Sequence, residues 1–162
     1  MAKCGLIVAM TQNHIIGLDG RIPWHYSPDM RRFKKITIGT TVIMGRITWE
    51  SLPKRPLPRR RNIVLTRSHL NNLEGAECFN NLEEALTTVE SDSWIIGGGQ
   101  IFNLALQKPE IIDIIDVTIV PDIIQSPQAV YFPEIDKNVW KKIDSKRLEG
   151  DVLIKVCTFQ KH

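Results

Sequence analysis

Short apolar runs alternate with amphipathic segments along the chain, and this pattern predicts a layered α/β fold. The apolar runs of the first half have the length of buried strands: GLIVAM at 5–10, TTVIMGR at 40–46, NIVLTRS at 62–68 and GAECF at 75–79. A short helix is predicted to follow the second run, through Trp49 and Leu52. Apolar residues at i, i+3, i+4 and i+7 predict an amphipathic helix at Leu82, Ala85, Leu86 and Val89.

The second half of the chain continues the pattern and ends in a predicted hairpin. SWIIGGGQIFNLAL at 93–106 predicts a strand, a glycine turn and a helix. The acids of 110–120 recur with helical spacing, but its isoleucines and valines favour a strand, and we predict a strand. Residues 151–159 alternate as a strand does, and the preceding LEGD at 148–151 indicates the turn of a terminal antiparallel hairpin.

Asp29 lies in an apolar neighbourhood at the start of a predicted helix. Ser27 followed by Pro28 indicates a hydroxyl N-cap and a proline at the first helical position. Asp29 then falls in the first turn, with Phe33 and Ile36 on its face. Two interpretations stay open: the acid complements the helix dipole, or it is a lone acid in an apolar pocket that binds a cationic or amide-like ligand.

Composition limits the class of protein. A chain of 162 residues, 43% hydrophobic and 24% charged, is expected to form a single domain spanning 1–162. We expect neither a membrane span nor a signal peptide. Three cysteines without CxxC spacing predict no disulfide framework and no metal site, and they favour a reducing cytoplasm. A net charge of +3 is weak support for nucleic-acid binding, and the basic run 54–61 lacks interleaved aromatics.

Three segments have the composition of anion-binding sites. Gly45-Arg46-Ile47-Thr48 and Gly97-Gly98-Gly99 each join a predicted strand to a helix, where free backbone amides meet a flexible turn. Thr66-Arg67-Ser68 ends a strand with two hydroxyls and a guanidinium, which suit a terminal phosphate. Each segment has a simpler interpretation as a tight turn or a solvated loop.

The order of these motifs carries a family resemblance. IVAM, IIG…IPW, a helix opened by proline and aspartate, VIMGR-TWES, RPLP-R-RNIVLTR, IIGGGQIF and YFPE follow one another between Leu6 and Pro133. In this order and spacing the chain resembles bacterial dihydrofolate reductase. The resemblance implies a three-layer α/β domain with a mixed, mostly parallel eight-stranded central sheet flanked by helices.

The resemblance also implies an activity. NADPH would transfer hydride from its nicotinamide to the pterin ring of 7,8-dihydrofolate, giving tetrahydrofolate for one-carbon metabolism. The enzyme would be a cytoplasmic monomer that binds antifolate inhibitors but neither nucleic acid nor membrane. A pyrimidine or pterin reductase of another pathway is the alternative from the same fold, and a nucleic-acid-binding module on 54–61 is the alternative from another class.

Site residues follow from the resemblance position by position. Asp29 would bind the pterin ring, Thr118 would share its hydrogen-bond network, and protons would arrive through water near Trp24. Arg60 would bind the glutamate carboxylate of the substrate. The rest of the substrate pocket would be formed by Ile7, Val8, Met30, Phe33, Leu52, Leu57 and Ile96.

The cofactor contacts would come mostly from the strand-to-helix junctions, and the family carries a cis peptide bond that would fall at Gly97–Gly98. The 2′-phosphate would lie on Thr66 and Arg67. The remaining contacts would be Ala9, Ile16, Gly45, Arg46, Ile47, Thr48, Leu65, Gly97, Gly98, Gly99, Gln100, Ile101 and Phe102. Residues 11–26 would form a mobile loop over the nicotinamide. Gln128-Ala129 replace the glycine-aspartate that usually holds this loop, so its control is left open.

Overall fold

The computed structural model describes residues 2–67 and 73–162, and its elements follow the predicted alternation. Ser68, part of the third anion-binding segment, lies outside the described residues. The four helices of the described residues are α1 (Ser27–Thr37), α2 (Arg46–Ser51), α3 (Leu82–Thr87) and α4 (Gly99–Leu106). The strands are β1 (Cys4–Thr11), β2 (Ile15–Leu18), β3 (Thr41–Gly45), β4 (Arg61–Leu65), β5 (Glu77–Phe79), β6 (Ser93–Gly97), β7 (Ile114–Val120), β8 (Ala129–Tyr131), β9 (Trp140–Leu148) and β10 (Asp151–Lys161).

Eight of these strands form one central sheet in the order β5-β4-β3-β6-β1-β7-β10-β9. The strands from β5 to β7 in this order run parallel, and β10 is antiparallel to both of its neighbours. The predicted mixed, mostly parallel sheet with a terminal hairpin is therefore confirmed. The ambiguous segment 110–120 is a strand from Ile114 onward, in the middle of the sheet.

Side chains alternate between two apolar layers, one on each face of the sheet. Leu6, Ile43 and Ile95 are in register on neighbouring strands and share a fully buried cluster with α3 and α4. Val42 and Met44 point to the opposite face and pack against Trp49 of α2. Their face also carries Ile7 and Asp116, because side chains alternate along each strand.

A small second sheet lies beside the central one. The pattern at 11–21 predicts only a long structured loop, but β2 within it pairs antiparallel with β8. Both strands are short, and their apolar residues follow no simple alternation, so the sequence gives little sign of them. Among the described residues, no helix has the length and apolar character needed to span a membrane.

The start of α1 differs from the prediction. The N-cap residue is Tyr26, with extended backbone, and Ser27 is already helical. The Ser27 hydroxyl lies 3.4 Å from His25 Nε2 instead of capping the helix. The expectation that Ser27 is the N-cap is therefore wrong by one residue, although Pro28 stays in the first turn, where no amide donor is lost.

Candidate active site

Helix α1 and strand β7 place Asp29 and Thr118 close together on one face of the central sheet. Asp29 is half-buried in the first turn of α1, and Thr118 is 2% exposed. Burial raises the pKa of the Asp29 carboxyl above its usual range, while a hydrogen bond with the Thr118 side chain and the charge of Arg32 oppose that rise. The structure thus places an acid with raised proton affinity beside a buried hydroxyl.

A buried ion pair adjoins Asp29, and sequence reasoning missed it. Arg32 Nη1 and Nη2 donate hydrogen bonds of 2.8 and 2.5 Å to the two carboxylate oxygens of Asp116. The two side chains are only 19% and 8% exposed. The sequence did offer a signal, because Asp116 interrupts an apolar strand and Arg32 is one helical turn after Asp29, where a buried charge requires a partner.

The apolar residues predicted to line the substrate pocket do not all have the same role. Leu52, Leu57 and Ile96 are partly buried against the α2 side of the sheet, and Phe33 is half-buried on α1. Met30 is 49% exposed, and Ile7 lies on the same face of the sheet as Asp116. Val8 points to the other face and packs into the cluster that contains Leu6. Val8 can therefore contact a ligand in this pocket only through its backbone.

Arg60 is fixed against the end of α1. Its Nη1 donates a 3.0 Å hydrogen bond to Thr37 Oγ1, and its Nε donates one of 3.0 Å to the carbonyl of Pro58. Thr37 in turn donates to the Phe33 carbonyl at 2.8 Å. Neither bond uses Arg60 Nη2. Partial burial, together with the charge of Arg59, lowers the pKa of Arg60.

The last two arginines of the basic run 54–61 are bonded to partners within the chain. Arg61 donates two hydrogen bonds to the Glu77 carboxylate, at 2.6 and 2.9 Å, and two more to Thr88. With Arg60 directed at α1, the last two arginines of the run serve different partners. For Arg60 and Arg61, these are contacts of a structural connector.

Gly45, before α2, and Gly97, Gly98 and Gly99, at the start of α4, lie close together and form what we call the glycine cradle. The peptide bond Gly97–Gly98 is cis, as the resemblance implies, and Gly97 has a φ of 135°, which L side chains rarely adopt. A Cβ atom at Gly97 or Gly98 would lie 3.3 Å from Thr48 Oγ1, and one at Gly45 would lie 3.1 Å from the Ile101 side chain. The backbone therefore carries no side chains at the starts of these two helices, where a phosphate-bearing ligand would approach their free amides.

Most of the other residues predicted to contact the cofactor lie on α2, at the end of β4 and on α4. Arg46 is exposed and forms an ion pair with Glu50 at 2.9 Å, so its positive charge is partly neutralised by that acid. Thr66 and exposed Arg67 follow β4, and the Thr66 amide donates to the Phe79 carbonyl. Of the rest, the Ile47 side chain is 68% exposed, Gln100 is exposed, and the side chains of Leu65, Ile101 and Phe102 are buried in the core.

The segment 11–26 lies against the cradle and is held by the connection after β7. The Asn13 side-chain amide donates 2.7 Å to the Ile124 carbonyl, and Tyr26 hydrogen-bonds Asp122. A Cβ atom on Gly99 would lie 2.9 Å from Val130 and 3.7 Å from Ile16, so the β2–β8 pair touches the start of α4. Trp24, within this segment, is half-buried, and half-buried Ala9 is in register with Thr118.

Comparison with known proteins agrees with this geometry. The family model described as dihydrofolate reductase matches residues 3–161. The chain is 50% identical over 110 residues to the dihydrofolate reductase of Mycobacterium leprae, covering 65% of this chain and 67% of that protein. It is 40% identical over 146 residues to that of Neisseria gonorrhoeae, covering 89% and 87%. The solved structure of Enterococcus faecalis dihydrofolate reductase with NADP(H) and RAB-propyl matches with a TM-score of 0.87 and 29% identity, covering 99% of this chain and 96% of that one.

The fold and the site together define a class, a reductase that uses a dinucleotide. The chain belongs to the dihydrofolate reductase family, because the family match spans nearly its whole length. It is an NADPH-dependent oxidoreductase of that family.

Proposed function

We propose that the Asp29 pocket binds the pterin ring of 7,8-dihydrofolate and that the enzyme reduces this ring to the tetrahydro form. The observation that carries the proposal is a half-buried carboxyl of raised pKa beside the buried Thr118 hydroxyl. Two carboxylate oxygens can accept parallel hydrogen bonds from an amino group and a neighbouring ring N–H, and charged hydrogen bonds are about twice as strong as neutral ones.

Asp29 also favours the protonated form of the substrate. A negative charge beside the ring raises the proton affinity of the nearby ring nitrogen, which makes the adjacent carbon a better hydride acceptor. The other buried acid next to the pocket, Asp116, already accepts both hydrogen bonds of Arg32. We therefore infer that the proton comes from solvent, through water beside Trp24 and the 11–26 segment.

The bare backbone at Gly97–Gly98 fits the diphosphate of NADPH, since any side chain there would crowd Thr48. When bound, NADPH supplies the hydride. Gly45, Thr48 and Arg46 would hold the phosphates, and Thr66 and Arg67 would hold the 2′-phosphate that distinguishes NADPH from NADH. The β2–β8 pair, which touches the start of α4, would keep water from the reacting rings.

Arg60 would bind the glutamate carboxylate of the substrate. Its bonds to Thr37 and Pro58 fix the guanidinium plane at the end of α1 and leave Nη2 outside both contacts. A planar, fixed guanidinium suits a carboxylate better than a lysine ammonium does. Phe33, Leu52, Leu57 and Ile96 would enclose the apolar middle of the substrate, and antifolate inhibitors would occupy the same pocket.

We further propose that the enzyme is a cytoplasmic monomer. Cys4, Cys78 and Cys157 are free thiols, as expected in a reducing compartment. The edge strand β9 is exposed from Lys141 to Arg147 and carries several positive charges, which oppose pairing with a second copy. Sedimentation of the purified enzyme would test the monomer directly.

Replacing Asp29 by Asn tests the proposed site. Asp29→Asn should keep NADPH binding but lose a factor of about 10² or more in turnover at neutral pH, the loss typical of removing one such electrostatic group. Turnover should recover partly in acid, where substrate arrives already protonated. Asp136→Asn, at an exposed acid, is the matched control. Unchanged turnover and pH profile in Asp29→Asn would refute the role of Asp29.

A further inference from the structure

The Arg32–Asp116 ion pair lies beside Asp29 but takes no part in the proposed reaction. It is bidentate, largely buried and set in the middle of the central sheet, where β7 lies between β1 and β10. Buried charges are expensive to desolvate, and well-packed apolar residues often serve stability as well or better. The pair therefore calls for an explanation other than stability.

The Arg32–Asp116 pair joins the same two elements as the Asp29–Thr118 contact, one helical turn further along α1 and two residues earlier on β7. Arg32 follows Asp29 by three residues on α1, so the two side chains share a face of the helix. Asp116 precedes Thr118 by two residues on β7, so these two share a face of the strand. Arg32 is thus within reach of two carboxyl groups, and it is bonded to only one of them.

Arg32 and Asp116 are the charges that act on Asp29 in this pocket. Arg32 lowers the pKa of Asp29 and Asp116 raises it, with Arg32 the stronger of the two. The strand positions in register with Asp116 and Thr118 are uncharged: Ile7 and Ala9 on β1, and Thr158 and Val156 on β10. The balance at Asp29 therefore depends on where the Arg32 guanidinium is held.

We propose that Asp116 is a positioning residue that holds Arg32 away from Asp29, so that both Asp29 oxygens stay available to the pterin ring. Both terminal nitrogens of Arg32 are bonded to Asp116. Without that carboxylate, Arg32 would turn to Asp29, the other acid whose charge acts on it, and compete with the substrate. Arg32 thus acts on Asp29 through charge from a fixed distance. This inference rests on the proposed function for its effect on substrate, but not for its effect on Asp29 itself.

Two single variants and their combination separate this role from a merely structural one. In Asp116→Asn, Arg32 should pair with Asp29, lower its pKa and raise KM for dihydrofolate about tenfold, the size of one charge-assisted hydrogen bond, with little change in kcat. In Arg32→Gln, Asp116 should lose its counter-charge and the pKa of Asp29 should rise. The double variant should return both the pKa and KM toward the wild-type values. Arg31→Gln removes a charge from an exposed neighbour on the same helix and is the matched control.

The pKa of Asp29 is measured by carboxyl ¹³C NMR on the ligand-free protein, with the Asp29 signal identified by its loss in Asp29→Asn. The expected result is that Asp116→Asn lowers the pKa of Asp29 by more when Arg32 is present than in the Arg32→Gln background, with no shift in Arg31→Gln. Equal effects in the two backgrounds would mean that Asp116 acts on Asp29 through its own charge alone, and would overturn the proposal. If Arg32→Gln does not fold, the rise in KM for dihydrofolate in Asp116→Asn, absent from Arg31→Gln, decides instead. Because the titration needs no substrate, it stands even if the wild-type enzyme proves inactive on dihydrofolate.

Discussion

The Tyr26 hydroxyl donates a 2.5 Å hydrogen bond to Asp122 Oδ1 and so joins the residue that caps α1 to the connection after β7. The bond raises the pKa of Tyr26 to about 12, so the hydroxyl keeps its proton throughout the physiological range. The sequence alone left open how the 11–26 segment is held, because Gln128 and Ala129 offer no carboxylate to it. Tyr26 and Asn13, bonded to Asp122 and Ile124, supply the connection from other positions.

Tyr26→Phe should loosen the 11–26 segment without removing any apolar contact. The loss of a partly exposed hydrogen bond to a carboxylate is worth about 1 kcal/mol, so hydride transfer should slow by about fivefold. Stopped-flow measurement of a single turnover follows that step. Tyr131→Phe is the control, since Tyr131 is an exposed tyrosine on β8. Equal rates for Tyr26→Phe and wild type would show that the bond does not control the segment.

Arg67→Ala should weaken the preference for NADPH over NADH. Arg67 is the exposed guanidinium after β4 that we assign to the 2′-phosphate, and one charge-assisted contact is worth about 1.5–3 kcal/mol. The ratio of kcat/KM values for the two cofactors should therefore fall by an order of magnitude or more. Arg147→Ala, on the edge strand β9, should leave that ratio unchanged. An unmoved ratio in Arg67→Ala would place the 2′-phosphate elsewhere.

Arg60→Lys should raise KM for dihydrofolate by about tenfold to a hundredfold, because an ammonium cannot form the fixed, bidentate contact. The test uses a second substrate, a dihydropterin without the aminobenzoylglutamate tail, for which KM should not change. The neighbouring Arg59→Lys is the matched control. A parallel loss on both substrates would contradict a role in binding the tail.

Asp29→Asn should stabilise the ligand-free fold at neutral pH. Burial raises the folded-state pKa of this carboxyl above the ordinary value of 3.8, so the folded state binds a proton more tightly than the unfolded chain does. Ionisation above the folded-state pKa therefore lowers the free energy of unfolding, and a neutral amide removes that cost. One kcal/mol raises the Tm of a chain of this size by about 2–4 °C.

The gain in Tm for Asp29→Asn should shrink as pH falls toward 3.8, where wild-type Asp29 becomes protonated in both states. Thermal melts followed by circular dichroism between pH 4 and 8 measure it, with Asp136→Asn as the control for an exposed acid. A lower Tm for Asp29→Asn at pH 7 would mean that the ionised carboxyl stabilises the fold, against the direction of its pKa shift.

The parallel strands β1, β3, β4, β6 and β7 were predictable from the sequence because they are nearly continuous apolar runs, as buried parallel strands are. β2 and β8 were not, since four and three residues are too few to show a period. The start of α1 was displaced by one residue because serine, proline and aspartate fit several positions of a first turn.

Candidate site residues could be predicted where a local sequence motif contains them, but not where they meet only through packing of distant segments. Asp29, the glycine cradle and Arg60 come from local sequence compared with a family. The Arg32–Asp116 pair joins residues 84 positions apart, so it appears only after α1 has packed on β7. Val8 shows the converse, because its position matches the family while its side chain turns into the opposite core.

The most direct test of the account is the loss of reduced-nicotinamide absorbance when the purified enzyme is mixed with NADPH and dihydrofolate, beside samples with NADH and with methotrexate. Rapid turnover that prefers NADPH and is blocked by methotrexate is the predicted result. If NADPH binds but dihydrofolate stays unreduced, the cradle is assigned correctly and the Asp29 pocket is not, and the substrate is that of another pterin or pyrimidine reductase.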